Sequence, residues 1–488
     1  MTAMAAPLWT MPDLLAASGA RADGVTVGGV DGVSIDTRTI AAGDLFVALE
    51  DQRDGHDFVG AAFARGAAAA LVKDSYARRP GDGLLLRVGD PLCALEAIGR
   101  AGRARLAANA RVIAVTGSAG KTTTKEMLRT CCARLGATHA SEKSYNNQWG
   151  VPLTLARMPA ATRFAIFEIG MNHAGEITPL TRMVWPHVAV ITTVVAAHLE
   201  HFGTEEAIAD AKAEILLGLE PGGTAVLNAG NRHIARLISA ARARPGVALV
   251  TFNGRPDQAE GATRDGSNVW LAKAHPHGDR TLVHAGTSRG DTGYHFEVGA
   301  VGDHMVVNAL AVIAALEATG ADAADALKAL KTFGVPQGRG ARSVIEVAGG
   351  TALLIDESYN ANPASMRAAL ETMALVPRDS YPRRIAVLGE MLELGADAPR
   401  LHVSLKEAID AAGVDLVFAA GSNMRLLYDQ LPQSRRGAWA DAASGIRDAL
   451  LAEVRDGDVV MVKGSNGSRT WALVDDLKKN GAGLPAGA

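Results

Sequence analysis

The sequence predicts an α/β protein made of three domains. Short apolar runs alternate with helical patterns along most of the chain, which is typical of parallel sheets covered by helices. A length of 488 residues corresponds to roughly three domains. Apolar residues make up 48% of the chain and charged residues 21%, so packed cores are expected throughout.

Residues 1–108 are predicted to form a small α/β domain. The strand-like runs lie at residues 33–36, 43–49, 68–72 and 84–88, and a helical pattern covers residues 57–65. Asp90 followed by Pro91 is an N-cap with proline in the first turn, which predicts a helix to about residue 106. The first strand is followed by an Asp-Thr-Arg turn that contains Thr37 and Arg38. Such a turn is common in proteins and does not by itself indicate a site.

Residues 109–338 are predicted to form the central domain, which opens with a phosphate-binding loop. A buried strand at residues 112–115 leads through small residues at 116–120 into a helix that ends near residue 135. The N–H groups of such a loop bind anionic oxygens, the lysine reaches the β- and γ-phosphates, and the threonine hydroxyl binds Mg²⁺. The residues expected to bind ATP here are Gly117, Ser118, Ala119, Gly120, Lys121, Thr122 and Thr123.

The loop has the short form Thr-Gly-x-x-Gly-Lys-Thr-Thr-Thr. Val115 stands where the common Gly-x-x-x-x-Gly-Lys-[Ser/Thr] pattern has its first glycine. An ordinary glycine-rich turn between a strand and a helix is the alternative. The Lys-Thr pair directly after the second glycine favours phosphate binding.

Further polar residues follow the strands of the central domain. Residues 144–155 place Asn146 and Asn147 near glycine and proline, which predicts a loop whose amides can bind a ligand. Glu168 lies near the end of a strand at residues 164–169, and His198 follows a strand at residues 188–194. Ligands of doubly wound sheets bind beyond the carboxyl ends of the strands, so we expect these side chains to converge with the loop. A structural or solvated role is the alternative for each of them.

Three other segments of the central domain are predicted from their patterns. A helix at residues 204–219 starts at the N-cap Thr204 and carries Lys212, which periodicity alone places on the surface. Residues 253–300 are polar and glycine-bearing, which predicts a peripheral hairpin layer away from the site. A helix at residues 303–316 presents His304 and Asn308 on one face. The pattern fits a face that contacts a ligand and a face exposed to solvent equally well.

Residues 339–488 are predicted to form the last domain, after a Gly/Pro-rich linker at residues 335–340. Strand-like runs at 353–356, 385–388, 416–419 and 459–462 alternate with helices, which predicts a Rossmann-like parallel sheet. Its loops carry three polar motifs, which begin at Asp356, Leu388 and Lys463.

The composition argues against several classes of protein. A formal charge of −3 gives no basic surface for nucleic acid. Cys93, Cys131 and Cys132 have neither metal-binding spacing nor a disulfide framework, which suits a reducing cytoplasm. The first cation is Arg21, so no signal peptide is expected, and the apolar run at residues 188–197 is too short to span a bilayer. We expect a cytoplasmic monomer without membrane insertion.

The motifs occur in a fixed order over nearly the whole chain, and together they resemble the Mur ligase family. They are the short phosphate loop, Tyr-Asn-Asn…Gly-Val-Pro-Leu from Tyr145, Tyr-Asn-Ala-Asn-Pro-x-Ser-Met from Tyr359, Leu-Gly-Glu-Met-x-Glu-Leu-Gly from Leu388 and Lys-Gly-Ser from Lys463. The Asp-Thr-Arg…Gly-Asp-Leu-Phe-Val-Ala-Leu…Asp-Gly-His-Asp-Phe segment of the first domain resembles the nucleotide-sugar-binding domain of peptidoglycan ligases.

The resemblance implies an ATP-dependent amide ligase. In the branch with these motifs, ATP phosphorylates the carboxylate of a UDP-N-acetylmuramoyl-tripeptide, and the amine of D-alanyl-D-alanine attacks the acyl phosphate. By resemblance, Thr122 and Glu168 would hold one Mg²⁺, and His198 and a carbamylated Lys212 would hold a second, with Lys121, His198 and Lys212 as the catalytic residues. The resemblance assigns ATP also to Asn308, Arg339 and Asp356, and the substrates to Thr37, Arg38, Asn146, Asn147, Tyr359, Asn360 and Lys463.

The chain departs from the family pattern at two positions. Met305 replaces the first Asn of Gly-x-His-Asn-x-x-Asn, which leaves Asn308 as the expected adenine ligand, and Asn466 replaces the arginine of Lys-Gly-Ser-Arg. A ligase that adds a single amino acid, of the muramoyl-dipeptide or folylpolyglutamate type, is one alternative, although the Asp-Asn-Pro-Arg signature of the former is absent from the sequence. A nucleotide-binding regulator is the other, and it would not need Glu168, His198 and Lys212 together.

Overall fold

A computed structural model describes residues 6–142, 144–253 and 268–481 of the chain. Within them, three large sheets of five, nine and six strands follow one another along the sequence. Helices cover the faces of these sheets, so the predicted α/β class is confirmed. None of the helices described is both long and apolar enough to cross a membrane.

The N-terminal part folds as a five-stranded sheet with helices on both faces. Its strands and helices are β1 (Trp9–Thr10), α1 (Met11–Ser18), β2 (Arg21–Asp23), β3 (Gly29–Val30), β4 (Gly32–Ser34), β5 (Asp44–Val47), α2 (Val59–Ala64), β6 (Ala69–Lys73), β7 (Leu84–Val88) and α3 (Pro91–Ala104). The strand order is β2-β7-β6-β5-β4, with only the β2–β7 pair antiparallel, while β1 pairs with β3 outside this sheet. Asp90 caps α3 as predicted, because its side chain accepts hydrogen bonds from the N–H groups of Leu92 and Cys93.

The central part begins with the strand that carries the phosphate loop. Its elements are β8 (Arg111–Thr116), α4 (Lys121–Leu135), β9 (Thr138–Ala140), α5 (Gly150–Ala156), β10 (Phe164–Glu168), α6 (Ile177–Val184), β11 (Val188–Ile191), α7 (Leu199–Phe202), α8 (Glu205–Ala213), β12 (Thr224–Asn228), α9 (Ile234–Arg242), β13 (Ala248–Phe252), β14 (Asn268–His277), β15 (Arg280–Thr287), β16 (Gly290–Val298), α10 (Asp303–Thr319) and α11 (Ala323–Leu327).

The nine central strands form one sheet in the order β16-β15-β14-β13-β12-β11-β8-β10-β9. In this order, all neighbouring pairs from β14 through β8 to β9 are parallel. The β14–β15 and β15–β16 pairs are antiparallel. One face packs on α4 and α10, and the other packs on α5, α6, α8 and α9. The carboxyl ends of β8, β10 and β11 therefore lie side by side, as a binding site at this edge requires.

The predicted peripheral hairpins are present: β14, β15 and β16 pair antiparallel at one end of the main sheet, while residues 254–267 of that prediction lie outside the described residues. Two other predictions for the central part are corrected. The expected loop at residues 144–155 gives way to α5 from Gly150, because Pro152 is tolerated in a first helical turn. The expected helix at residues 204–219 ends at Ala213 and continues as a 3₁₀-helix, Glu214–Gly218.

The C-terminal part is the predicted Rossmann-like sheet with one added strand at each edge. Its elements are β17 (Ala341–Val347), β18 (Gly350–Glu357), α12 (Pro363–Ala374), β19 (Arg383–Gly389), α13 (Ala398–Val403), α14 (Lys406–Ala411), β20 (Leu416–Ala420), α15 (Ser422–Tyr428), β21 (Arg436–Ala440), α16 (Arg447–Glu453), β22 (Asp458–Lys463) and α17 (Trp471–Gly481). The strand order is β17-β18-β22-β19-β20-β21, and only β17 is antiparallel to its neighbour. Asn362 caps α12 in a capping box with Ser365.

The N-terminal and central sheets share a core through α5. Leu153 and Ala156 of α5 belong to the same apolar cluster as the N-terminal strands. Trp9 Nε1 donates to the carbonyl oxygen of Ala156 at 2.7 Å. Gly102 of α3 lies against the backbone of α5, since a Cβ there would stand 2.4 Å from the carbonyl oxygen of Leu155. This packing ties the first sheet to the segment that precedes the site.

Candidate active site

The phosphate loop lies between β8 and α4 and is held by its neighbours. Gly120 precedes α4 with φ 81°, and Gly117 has φ 150°, both in the region that favours glycine. The Ser118 N–H donates to the carbonyl oxygen of Thr193 at 2.8 Å. Lys121 Nζ donates to the carbonyl oxygen of Gly117 at 2.8 Å, so the lysine folds back over the loop. Burial lowers the pKa of Lys121, against the attraction of Glu168 and together with the repulsion of Arg339.

Glu168 ends β10 and is buried beside this loop. Its Oε2 accepts a hydrogen bond from Thr122 Oγ1 at 2.7 Å, and its Oε1 accepts one from Asn146 Nδ2 at 2.8 Å. A carboxylate offers about four acceptor positions, so these contacts leave capacity for a cation. The structure thereby joins Thr122, Glu168 and Asn146, which are far apart in the sequence.

Lys212 is buried, so the surface position that periodicity alone suggested is wrong. Burial lowers its pKa well below the ordinary 10.5, and the nearby ammonium of Lys121 acts in the same direction. The carboxylates of Glu168 and Glu214 oppose that shift. Within the part of the chain that the structure describes, Lys212 Nζ makes no hydrogen bond or ion pair. A neutral amine beside Glu168 is the state that this environment favours.

A cavity of about 820 Å³ opens between the central and C-terminal sheets. Glu168 and His198 line it together with four residues of the phosphate loop, namely Ser118, Ala119, Gly120 and Lys121. Nδ1 of His198 contacts Oε2 of Glu393 from the C-terminal part. The pKa of Glu393 is lowered mainly by this hydrogen bond. The other ring nitrogen, Nε2, makes no hydrogen bond within the described residues.

The linker crosses the cavity and contacts both of the sheets beside it. The guanidinium of Arg339 lies 4.2 Å from the centre of the Tyr359 ring, and its Nη2 donates to Ser144 Oγ at 3.3 Å. Asp356 is buried, and its Oδ2 accepts a hydrogen bond from the Gly338 N–H at 3.0 Å. Its Oδ1 accepts a hydrogen bond from Ser358 Oγ at 2.6 Å. One carboxylate oxygen of Asp356 therefore binds the linker, and the other binds Ser358. Asp356 is not among the cavity-lining residues described.

Asn308 lies against the phosphate loop. A Cβ on Gly120 would stand 2.5 Å from Asn308 Oδ1, and Thr124 Oγ1 donates to the same oxygen at 3.4 Å. Asn308 also lines the cavity. Met305, which replaces the first Asn of the family pattern, is buried among apolar side chains of the core.

Lys463 ends β22, where it is buried and its ammonium group has polar partners. Its Nζ contacts Glu357 Oε2 at 3.2 Å and donates to the carbonyl oxygen of Asn360 at 3.0 Å. Tyr359, Asn360 and Lys463 line the cavity, and so do Asn146 and Asn147 on the opposite side. Most of the residues expected at the substrates thus surround one space.

Thr37 and Arg38 lie apart from that space. They follow β4 of the N-terminal sheet and are not among the cavity-lining residues described. Arg38 is exposed and makes paired hydrogen bonds with Asp36, the first cause of its raised pKa. The charge of Tyr145 also affects Arg38, which places the pair near the segment that carries Asn146. A ligand that reaches both must extend from one sheet to the next.

The donor set beside the loop fits divalent cations. Glu168 supplies carboxylate oxygens and Thr122 a hydroxyl, which are ligands that Mg²⁺ prefers. Among the described residues, neither Nε2 of His198 nor the buried amine of Lys212 has a hydrogen-bond partner. As an ammonium, Lys212 would repel a cation, so it fits a metal centre only after its charge is removed.

Several site residues were missed by the sequence patterns. Lys125 is fully buried, and its Nζ donates to the carbonyl oxygen of Ser141 at 2.6 Å, next to the Asn146 segment. Asn228 ends β12, which was not predicted, and its Nδ2 donates to the carbonyl oxygen of Thr192. Glu357 and Glu393 stood inside the polar motifs, but their partners lie on other elements. The strand-like run at residues 224–228 was the available signal for Asn228.

Comparisons with known proteins agree with this geometry. The Mur ligase middle domain matches residues 115–316, and the Mur ligase, glutamate ligase domain, matches residues 343–466. The UDP-N-acetylmuramoyl-tripeptide–D-alanyl-D-alanine ligase of Escherichia coli (strain K12) is 35% identical over 93% of this chain and 94% of its own. The ligase of the same name from Rickettsia prowazekii (strain Madrid E) is 30% identical over 91% and 94%.

A solved structure extends the likeness to three dimensions. The crystal structure of MurF from Acinetobacter baumannii superposes with a TM-score of 0.80 at 28% identity, and covers 96% of this chain and 99% of its own. Domain matches, curated relatives and fold agree, and the chain belongs to the Mur ligase family, in the group of UDP-N-acetylmuramoyl-tripeptide–D-alanyl-D-alanine ligases.

Proposed function

We propose that this chain uses ATP to join D-alanyl-D-alanine to UDP-N-acetylmuramoyl-tripeptide in the synthesis of peptidoglycan precursors. The observation that carries the proposal is one cavity that gathers the phosphate loop, Glu168 and His198, with Lys212 buried close to Lys121 and Glu168. The substrates are those named for relatives that are 30% and 35% identical over nearly their full length.

The reaction has two steps. The terminal carboxylate of the tripeptide attacks the γ-phosphorus of ATP, which forms an acyl phosphate and releases ADP. The free amine of D-alanyl-D-alanine then attacks the acyl carbon, and the tetrahedral intermediate collapses to an amide and inorganic phosphate. Two anions must approach each other in the first step, so neutralisation of charge is the main task of the site. Lys121 and the N–H groups of the phosphate loop supply part of it.

Two Mg²⁺ ions supply the remaining positive charge when they are bound. Thr122 and Glu168 hold one of them, and His198 with Lys212 helps to hold the other. Lys212 does so as a carbamate, formed when its neutral amine adds CO₂ and releases a proton. The support is its burial, its lowered pKa and its lack of a described partner. The carbamate replaces a cation by carboxylate-like oxygens, which suit Mg²⁺.

The remaining roles divide between the three sheets. We place the domain boundaries after residues 108 and 338, so that each domain contains one of the large sheets. Thr37 and Arg38 of the first domain bind the uridine diphosphate, and Asn146, Asn147, Tyr359, Asn360 and Lys463 contact the peptide substrates. Asn308, Arg339 and Asp356 serve ATP, with Asp356 acting through the linker that its carboxylate holds.

The cell compartment and the assembly follow from the same features. The three cysteines are free thiols, with Cys131 and Cys132 buried, which suits a reducing cytoplasm. One chain supplies every residue assigned above, so a monomer suffices for the reaction.

Phosphate release tests this function. Purified protein with ATP and Mg²⁺ should release phosphate only when both UDP-N-acetylmuramoyl-tripeptide and D-alanyl-D-alanine are present, and Lys121→Ala should reduce the rate to less than a tenth with an unchanged melting curve. Tripeptides that end in lysine and in meso-diaminopimelate should be compared. If free lysine or meso-diaminopimelate with a muramoyl-dipeptide supported faster release than the dipeptide amine, a ligase for a single amino acid would replace this proposal.

A further inference from the structure

His198 and Glu393 meet across the boundary between the central and C-terminal sheets. His198 precedes α7 in the central part, and Glu393 lies in the loop after β19. Their side chains are joined by a hydrogen bond between Nδ1 of His198 and Oε2 of Glu393. The imidazole is 22% exposed and the carboxylate 44%, so the pair lies at the rim of the cavity. The two residues are 195 positions apart in the sequence.

The backbones of the two segments are also in contact, and both adopt left-handed conformations at these residues. His198 has φ 60° and Glu393 has φ 63°, a region that is costly for residues other than glycine. The N–H of Glu200 donates to the carbonyl oxygen of Glu393 at 3.1 Å. A Cβ on Gly395 would stand 3.2 Å from Cα of Glu200, so the loops touch at the backbone. Two unfavourable conformations thus face each other at one contact.

A carboxylate bound to one imidazole nitrogen determines what the other nitrogen can do. When Nδ1–H donates to a carboxylate, the ring is held in one orientation, and Nε2 keeps its lone pair for a metal. We propose that Glu393 is the positioning residue for His198, so that the second metal position is complete only while the C-terminal domain is docked on the central domain. This inference rests on the proposed function, because it takes His198 as a metal ligand.

Docking of the C-terminal domain on the central domain thus completes the second metal position. Tyr359 and Lys463 come from the C-terminal sheet, and Glu393 makes the metal position depend on the same sheet. The charge of the second metal is then supplied in the docked arrangement, in which the amine substrate and ATP are enclosed together. An undocked C-terminal domain leaves His198 without its carboxylate and binds the second metal more weakly.

Binding of Mn²⁺ in the presence of the β,γ-imido analogue of ATP tests the inference without turnover. Wild-type protein should bind two Mn²⁺ ions, counted by electron paramagnetic resonance. Glu393→Ala should bind the first ion normally and the second about 10- to 100-fold more weakly, the usual effect of removing a hydrogen-bond partner of a metal-bound histidine. Glu393→Gln retains an acceptor oxygen and should recover part of that loss.

Glu200→Ala is the matched control, because it removes the carboxylate of a residue whose backbone makes the same contact and leaves its hydrogen bond to Glu393 in place. It should bind two ions like the wild type. A second readout is the ¹⁵N spectrum of His198, identified by its loss in His198→Gln. Its Nδ1–H signal, present in the wild type, should be lost in Glu393→Ala. Melting curves identify a variant that fails to fold, and Glu393→Gln then carries the comparison.

The outcomes separate the two proposals. If Glu393→Ala, or Glu393→Gln where Glu393→Ala does not fold, bound the second Mn²⁺ as tightly as the wild type, the inference would be wrong and the ligase function would stand. If the wild type bound a single ion, the second metal position and this inference would both be wrong. Phosphate release by the wild type then reports on the ligase function independently.

Discussion

Lys212 combines burial with the absence of a described partner, which is a costly state for an ammonium. We predict that Lys212→Ala loses most of the ligase activity, because the proposed carbamate would no longer supply an oxygen ligand to the second metal. Formate or acetate should restore part of the activity by occupying the vacated position. Lys212→Arg serves as the control that keeps a cation there, and it should not be rescued. Full activity of Lys212→Ala, measured by phosphate release, would return Lys212 to a purely structural role.

The lowered pKa of Lys212 also affects stability in the absence of CO₂. The folded state releases the proton of Lys212 at a lower pH than the unfolded chain, whose lysines titrate near 10.5. Between those two values the unfolded state binds more protons, so the free energy of unfolding rises with pH. Lys212→Met should therefore be more stable than the CO₂-free wild type at neutral pH, and the difference should shrink toward pH 10.5. Bicarbonate should stabilise the wild type and not the variant.

At the scale of an element, the phosphate loop depends on glycine at one position for two reasons. Gly120 has φ 81°, and a Cβ there would stand 2.5 Å from Asn308 Oδ1. We predict that Gly120→Ala lowers the free energy of unfolding by at least about 1–2 kcal/mol and raises KM for ATP. Gly222 is the matched control, because it has φ 80° and no atom within 4 Å of an added Cβ. Gly222→Ala should show the backbone cost alone, measured by denaturant unfolding, with KM for ATP unchanged. Equal effects of both substitutions on stability and on KM would contradict the close contact with Asn308.

At the scale of the whole molecule, the proposed binding site for the nucleotide sugar lies on the N-terminal sheet. Arg38 lies at the β4 edge of the N-terminal sheet, outside the cavity that holds the phosphate loop. We predict that Arg38→Ala raises KM for UDP-N-acetylmuramoyl-tripeptide and leaves KM for ATP nearly unchanged. Arg21, on β2 at the opposite edge of the same sheet, is the matched control, because it is also exposed and paired with an aspartate. Equal changes in both KM values for Arg38→Ala would mean that the first domain does not bind the nucleotide sugar.

Local patterns were sufficient for much of the architecture. The strand at β8, the helix α4 and the caps at Asp90 and Thr204 were predicted correctly, because each depends on residues within a few positions of one another. The parallel C-terminal sheet followed from apolar runs that alternate with helices. The antiparallel strand β17 was missed, because its half-exposed pattern resembles a loop.

The sequence by itself determined the class of the protein, the position of the phosphate loop and the order of its motifs, since these are properties of short segments. The tertiary structure decided the partnerships. Thr122 with Glu168, His198 with Glu393 and Lys463 with Glu357 join residues that lie on different elements, and the arrangement of these elements is set by packing over the whole chain. It also decided the burial of Lys212 and the direction of its pKa shift, since desolvation depends on what covers a side chain. The periodicity of a helix does not show which elements pack against its polar face.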